Sequence, residues 1–89
     1  SENTDLSELE VKLRLNPADH EARYSLACAL WAREQREVAI DELLEIIRQN
    51  REWNDSTARK QLLKYFDAMG PTAPLTVEAR GKLSSLLFS

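Results

Sequence analysis

The side chains that could do catalytic chemistry are few and scattered in this sequence. The chain has one cysteine, Cys28, and one histidine, His20. Covalent catalysis needs a nucleophile with a base within hydrogen-bond reach and a third group that orients the base. A protein metal site needs several Cys, His or carboxylate ligands at suitable spacing. Because neither set can be assembled here, we predict no catalytic residue and no metal site, and we interpret Cys28 as a buried, inert thiol.

Carboxylates and glycines also lack the arrangement that an enzyme would need. Paired carboxylates such as Glu42 and Glu45 recur along amphipathic segments, where they normally form the solvated face of a helix. Nothing isolates two of them in an apolar cleft, as acid–base catalysis would require. The only glycines, Gly70 and Gly81, do not form a phosphate-binding loop. We therefore predict that the chain is not an enzyme and holds no cofactor.

Length and composition indicate one small helical domain. The chain has 89 residues, of which 43% are hydrophobic and 30% charged, with a net charge of −3. Two glycines and three prolines are too few for the turns of a many-stranded β-fold. No run approaches the roughly 18 apolar residues of a membrane span, and no signal peptide is evident. We expect a soluble domain of the cytoplasm that does not bind membranes, and the start at Ser1 suggests a piece of a longer protein.

Apolar residues follow a helical period along the chain and predict five helices. The first lies near residues 4–14, and Asp19 is expected to cap the second. The second and third should form an antiparallel hairpin, with the third ending near Asn50. For the fourth helix, we expect Asn54 or Asp55 as the cap and Trp53 as a hydrophobic staple. That helix stops at Gly70, and the last begins near residue 74.

The second and third helices resemble a known repeat. In the stretch NPADHEARYSLACALWAREQREVAIDELLEII, large and small apolar residues recur where two helices would cross. This pattern resembles a tetratricopeptide repeat, carried by Leu26, Ala27, Leu30, Ala39, Leu43 and Ile46. Arg23 stands where the repeat usually has an aromatic residue, Glu34 where it has glycine, and Arg51 where it has proline. The resemblance implies an all-α fold of antiparallel helical hairpins.

A second resemblance covers residues from about 16 to 89. The W-N-D sequence at 53–55, the A-R-K-Q-L-L-K helix, the Gly70-Pro71 stop and the R-x-K-L-S-S-L-L ending resemble the C-terminal part of bacterial thioredoxin-like proteins of the chaperedoxin type. These proteins carry a tetratricopeptide extension. The resemblance implies chaperone work, with an unfolded client or the bacterial chaperonin as partner. No Cys-x-x-Cys occurs in this chain, so it implies no redox chemistry for these residues.

The repeat alignment places Glu21, Tyr24 and Trp31 on the face that lines the groove of such arrays, and we predict that they bind a partner. The alternative is that the first or the last helix covers this apolar stripe as part of the core. The C-terminal residues Leu86, Leu87 and Phe88 pose the same choice between a capping helix and a partner surface, and we predict that they also contribute to binding.

Charge is divided unevenly between the two halves. Residues 1–45 carry a net −6 and residues 46–89 a net +3. Lys60 and Lys64 lie on the basic side of the fourth helix. Too few basic side chains are present for phosphate neutralisation, so we predict an acidic protein partner and no nucleic acid.

The functional hypothesis is therefore a protein-interaction module of a thioredoxin-related chaperone or co-chaperone. It would bind client or chaperonin through a helical groove and an apolar C-terminal helix. The alternative is a structural domain that orients or dimerises a redox domain elsewhere in the protein.

Overall fold

The computed structural model describes residues 5–88 and contains five α-helices within that range. No strand occurs there, so the predicted all-α class with five helices is confirmed. The part of the predicted first helix at residue 4 lies outside the described residues. In chain order the helices are α1 (Leu6–Leu15), α2 (His20–Ala32), α3 (Arg36–Gln49), α4 (Trp53–Met69) and α5 (Pro74–Phe88).

Short side chains satisfy the first backbone N–H groups of α1 and α2. The Asp5 carboxylate accepts from the Ser7 amide at 2.9 Å, and the Asp19 carboxylate accepts from the Ala22 amide at 3.0 Å. The prediction that Asp19 caps the second helix is confirmed. Such caps stabilise a helix by about 1 kcal/mol.

The entry to α4 differs from the prediction. Asn54, Asp55 and Ser56 all adopt left-handed backbone angles, with φ between 49° and 60°. A capping residue needs extended angles, so the prediction that Asn54 or Asp55 caps the helix is wrong. The Asp55 carboxylate instead pairs with the Lys60 ammonium at 3.1 Å. Asn and Asp tolerate left-handed angles better than most residues, which is why this turn can form here.

Two other positions with positive φ end helical segments. Gly70 follows α4 with φ 93° and ψ 153°, a conformation open to glycine because it lacks a Cβ atom. Glu34 follows α2 with φ 63°. This is the position where the repeat usually has glycine, so the backbone keeps the left-handed turn although the residue that favours it is absent.

Helix α3 is the centre of the domain. It packs most extensively against α2, then against α4, and it also contacts α5. The largest fully buried side chains come from α3, α4 and α5: Leu43, Ile46, Leu62, Phe66 and Thr76. Helix α5 contacts α3 more than it contacts α4, so α3 anchors the last helix.

A second, smaller cluster joins α1 to α2. Leu9, Ala22 and Leu26 are buried there, and Leu6, Leu13 and Leu30 pack around them. Helix α1 thus covers a side of α2 different from the one that faces α3. Within residues 5–88 no helix is both long enough and apolar enough to cross a bilayer.

Candidate functional site

Side chains from α2 and α4 meet along one line, which we call the α2–α4 seam: Tyr24, Cys28 and Trp31 from α2 with Gln61 and Tyr65 from α4. The Tyr24 hydroxyl donates to Gln61 Oε1 at 3.2 Å. The Trp31 and Tyr65 rings stack with their centroids 3.8 Å apart and their planes 2° from parallel. Residues at intervals of three, four and seven share one face of a helix, which is why these side chains of α2 line up.

Trp31 is held by two different groups. Tyr65 stacks on its ring, and the guanidinium carbon of Arg36 lies 4.9 Å from the ring centroid. A guanidinium at that distance is attracted by the ring quadrupole, and the attraction is about 0.5–1 kcal/mol at an exposed site. Trp31 is half-buried: part of its side chain packs against the core, and the remainder is exposed to solvent.

Trp53 closes the other end of the seam. Its ring centroid lies 5.9 Å from that of His20 and 5.9 Å from that of Tyr24. Trp53 immediately precedes the left-handed turn at the start of α4. It therefore packs against the first half of α2, which explains its half-buried position.

The helix that covers Tyr24 and Trp31 is α4. The alternative to partner binding gave this place to the first or the last helix, but the ring and hydroxyl contacts of Tyr24 and Trp31 are with Gln61, Tyr65 and Trp53 of α4, and both side chains remain half-buried. Periodicity identifies an apolar face of a helix but not the neighbour that packs against it. The sequence contained one usable signal, since Gln61 and Tyr65 are four residues apart and share a face of α4.

Exposed charges flank the seam. Glu21 lies one turn before Tyr24 on α2 and is exposed, and Lys64 lies beside Tyr65 on α4 and is also exposed. Lys60 is exposed as well, but its ammonium is engaged by Asp55. Glu21, Tyr24 and Trp31 of α2 thus share a side of that helix, and Lys64 is the exposed neighbour of Tyr65 on α4.

Two phenols and a thiol lie together in the seam. Tyr65 is buried, whereas Tyr24 and Cys28 are half-buried, so the prediction that Cys28 is a buried thiol holds only in part. Burial is the main cause of a raised pKa for both Tyr24 and Tyr65, and the neighbouring Cys28 raises both pKa values further. Tyr65 also hydrogen-bonds with Gln61, which acts in the opposite direction. Both phenols therefore ionise at a higher pH than a free tyrosine does.

Replacing Tyr65 with phenylalanine is expected to reduce the loss of stability at alkaline pH. A tyrosine whose pKa is raised by folding contributes stability that is complete below the unfolded pKa near 10 and is lost as pH rises beyond it. For one phenol the slope is at most about 1.4 kcal/mol per pH unit. Urea unfolding at a series of pH values, from neutral to strongly alkaline, gives the free energy of unfolding at each pH and therefore this slope. Equal slopes in the variant and the wild type would contradict the burial of this phenol.

The C-terminal residues belong to a different region. Leu86 and Leu87 are half-buried and pack on the core, whereas Phe88 is 84% exposed. The Arg51 guanidinium donates to the carbonyl oxygens of Leu86 and Leu87, each at 3.2 Å, and so satisfies carbonyls at the end of α5. Leu86, Leu87 and Phe88 lie on α5, whereas the seam is built from α2 and α4.

A groove of about 330 Å³ runs between α3 and α5. Leu44 and Leu86 form its apolar part. Its charged rim is largely paired: the Arg48 guanidinium donates to both Glu45 oxygens at 2.9 and 2.6 Å, and Lys82 lies 3.7 Å from Asp41. The Arg48 contact lowers the pKa of Glu45 to about 2.

Among residues 5–88 no group of three or more His, Cys, Asp or Glu side chains could hold a metal ion.

A family model described as "Tetratricopeptide repeat" matches residues 1–88 of the chain. No curated protein matches the chain, and no solved structure matches it either.

Proposed function

Because the chain belongs to the tetratricopeptide repeat family, we propose that it is a protein-binding module whose main binding surface is the α2–α4 seam and the exposed charges beside it. Repeats of this type generally mediate protein–protein interaction and are typically not catalytic. The observation that carries the proposal is the seam itself: the half-buried rings of Tyr24 and Trp31 lie against α4, and Glu21 and Lys64 are exposed nearby in the sequence of the same two helices.

The seam has the features of a peptide-binding surface. Half-buried aromatic side chains supply apolar contact area that is already held in place, so binding does not have to order them. Exposed charges at the edge select the sign of the partner's charges and speed its association. An extended or helical segment with an apolar side chain for the rings and an acidic residue for Lys64 fits this arrangement.

The last helix supplies a second contact in this proposal. Phe88 projects into solvent, and Leu86 and Leu87 anchor the end of α5 to the core. An exposed aromatic residue next to a fixed helix end is available to a partner without unfolding the domain. We propose that this end of α5 contacts the same partner or a second one.

We further propose that the module is part of a thioredoxin-related chaperone that works in the cytoplasm and binds unfolded clients or a bacterial chaperonin. This step rests on the sequence resemblance over residues 16–89. The single cysteine, Cys28, excludes an internal disulfide and is compatible with a reducing compartment.

The experiment is a titration of the labelled chain with two probes, a reduced and alkylated test protein that cannot fold and the purified bacterial chaperonin. Binding to at least one probe is expected. The double variant that carries both Glu21→Lys and Lys64→Glu should bind about tenfold more weakly, because the two charges are proposed to lie at the edge of the seam. The matched control, Glu37→Lys, reverses an exposed charge on α3 and should bind like the wild type. Absence of binding to both probes would refute the chaperone proposal.

A second variant tests the contribution of the C-terminal helix separately from that of the seam. Phe88→Ala removes an exposed ring and should weaken binding without changing the thermal unfolding midpoint. If the charge reversals and Phe88→Ala both leave binding unchanged, the proposed surfaces are wrong. A tight homodimer that buries Tyr24 and Trp31 would instead support the structural alternative, a domain that dimerises a neighbouring redox domain.

A further inference from the structure

The guanidinium of Arg36 rests on an aromatic ring of the seam. Its central carbon lies 4.9 Å from the centroid of the Trp31 ring. The Tyr65 ring covers one face of the same indole, with the centroids 3.8 Å apart and the planes 2° from parallel. Because that face is occupied, the guanidinium lies over the other one. Tyr65, Trp31 and Arg36 therefore form three layers, with the charged group outermost.

The charge of Arg36 is not neutralised within the part of the chain that the structure describes. Among residues 5–88 it forms no ion pair, whereas the guanidinium of Arg23 pairs with a carboxylate at 2.7 Å. One reason is local. The positions three and four residues further along α3, where a helical partner would lie, are the buried Ala39 and Ile40. Arg36 itself is exposed, so its charge is accessible to a group from another molecule.

A guanidinium that is stacked on a ring is well prepared to bind a carboxylate. Stacking uses the flat face of the group and leaves its edge, which carries the N–H donors. Two parallel donors on that edge match the two oxygens of a carboxylate. Because the contact with Trp31 already restricts the arginine side chain, less conformational freedom is lost when a ligand binds.

Arg80 makes a similar ring contact in different surroundings. Its guanidinium carbon lies 5.6 Å from the centroid of the Phe66 ring. Phe66 is 1% exposed, so that ring offers no apolar surface to a partner. Trp31 is half-buried instead. At Arg36 an accessible part of an indole and a charge held in place therefore lie next to each other.

The acidic residues beside Arg36 favour a singly charged ligand. Glu34 and Glu37 flank it in the sequence, and both are exposed. A phosphate group carries up to two negative charges at neutral pH, whereas a carboxylate carries one. Since like charges repel, the two glutamates oppose a phosphate more strongly than a carboxylate.

We propose that Arg36 binds a carboxylate of the partner polypeptide, while an apolar side chain of the partner packs against the exposed part of Trp31. The inference rests on the proposed function, because it assigns the partner's chemistry at the same seam. It adds a cation held by a ring to the lysines of α4, of which Lys60 is paired with Asp55. An acidic side chain and a chain end both supply a carboxylate, and the experiment separates these two sources.

The test is a titration with three short synthetic peptides. The first has glutamates on both sides of a single leucine and an amidated C-terminus. The second has glutamine in place of each glutamate, and the third is the glutamine peptide with a free C-terminal carboxylate. The chain has two tryptophans, so in a Trp53→Phe background the emission of Trp31 alone reports binding.

We expect the glutamate peptide to bind about tenfold more tightly than the amidated glutamine peptide. Overall charge works against this result, because the chain carries a net −3 and repels an acidic peptide. If the third peptide binds as tightly as the first, a chain end suffices. If it binds like the second, the ligand is an acidic side chain.

Variants of Arg36 connect this preference to the residue. Arg36→Gln should bind the glutamate and glutamine peptides equally, and Arg36→Lys should keep only part of the preference because it lacks the planar pair of donors. The control, Arg59→Gln, removes the same charge from an exposed position of α4. Arg59 is two residues from Gln61 and therefore on another side of that helix, so this variant should keep the full preference.

Several results would overturn the proposal. They are equal binding of the first two peptides by the wild type, no binding of the glutamate peptide at millimolar concentration, or an unchanged preference in Arg36→Gln. Tighter binding of a matching phosphoserine peptide would identify a phosphate site instead. Tighter binding of a lysine peptide by Arg36→Gln than by the wild type would show that the Trp31 ring takes a cation from the partner.

Failure of the proposed function gives a different result. In that case neither the unfolded test protein nor the chaperonin binds, while the glutamate peptide still binds in a manner that depends on Arg36. If the two proteins bind and the peptides show no preference for a carboxylate, the proposed function stands and the role of Arg36 is wrong.

Discussion

Replacing Phe66 with alanine is expected to lower the free energy of unfolding by about 3–5 kcal/mol. The ring is 1% exposed and belongs to the cluster in which α3, α4 and α5 meet. Its removal leaves a cavity that three helices would have to close together, and it also takes away the surface on which the Arg80 guanidinium lies. Urea unfolding followed by far-ultraviolet circular dichroism measures the change.

Leu63→Ala is the matched control for this prediction. Leu63 lies on the same helix, one turn before Phe66, but it is 42% exposed. Its truncation should cost less than about 1 kcal/mol, since much of the side chain is in water already. Comparable losses for the two variants would show that the core is not centred on Phe66. A domain of this size has a total stability of about 4–13 kcal/mol, so the Phe66 variant should be only marginally folded.

Replacing Arg23 with alanine is expected to lower the free energy of unfolding by about 2 kcal/mol. The guanidinium donates to Glu42 at 2.7 Å and to the Pro17 carbonyl at 3.0 Å, and its side chain is only 15% exposed. The loss arises mainly because the Glu42 carboxylate, 22% exposed, keeps its charge without its partner. The partial exposure of the pair places the value below that of a fully buried one.

A double-mutant cycle with Glu42→Gln separates the pair from the packing of the Arg23 stem. We expect a coupling energy of about 1–2 kcal/mol at low salt, and a smaller one at high salt. The exposed pair of Arg48 with Glu45 is the comparison, and its coupling should be below about 1 kcal/mol. A coupling near zero for Arg23 and Glu42 would mean that the arginine acts through its aliphatic stem alone.

Arg23 also shows how the family pattern can change without loss of the fold. The repeat usually has an aromatic residue at this position, which fills space between the two helices of a hairpin. Here the arginine connects α2 to α3 through Glu42 and reaches back to the loop before α2 through Pro17. An ion pair with a long apolar stem thus spans the gap that a ring would fill.

Local signals in the sequence were sufficient to predict the helices. Asp19 caps α2, Gly70 ends α4 and Pro74 begins α5, because each effect depends on residues within one turn. The segment 54–56 could not be predicted in the same way. Asn and Asp favour both caps and left-handed turns, and only the packing of Trp53 against α2 distinguishes the two outcomes.

The seam shows the limit of prediction from a single sequence. Tyr24 and Trp31 could be placed on one face of α2 by spacing alone. Their partners Gln61 and Tyr65 are more than thirty residues away, and only the way α4 lies beside α2 brings them into contact. The predicted binding residues therefore include Tyr24 and Trp31 from the α2 side of the seam. From α4 they include only the exposed Lys60 and Lys64, and not Gln61 or Tyr65.

The positions of the two tryptophans have a spectroscopic consequence. Trp31 lies between the Tyr65 ring and the Arg36 guanidinium, and Trp53 lies between His20 and Tyr24. Each indole therefore has a different set of neighbours, one at each end of the contact between α2 and α4. Two variants that each retain only one tryptophan would separate the emission of Trp31 from that of Trp53. Each variant would then report whether its own end of the contact opens when another molecule binds.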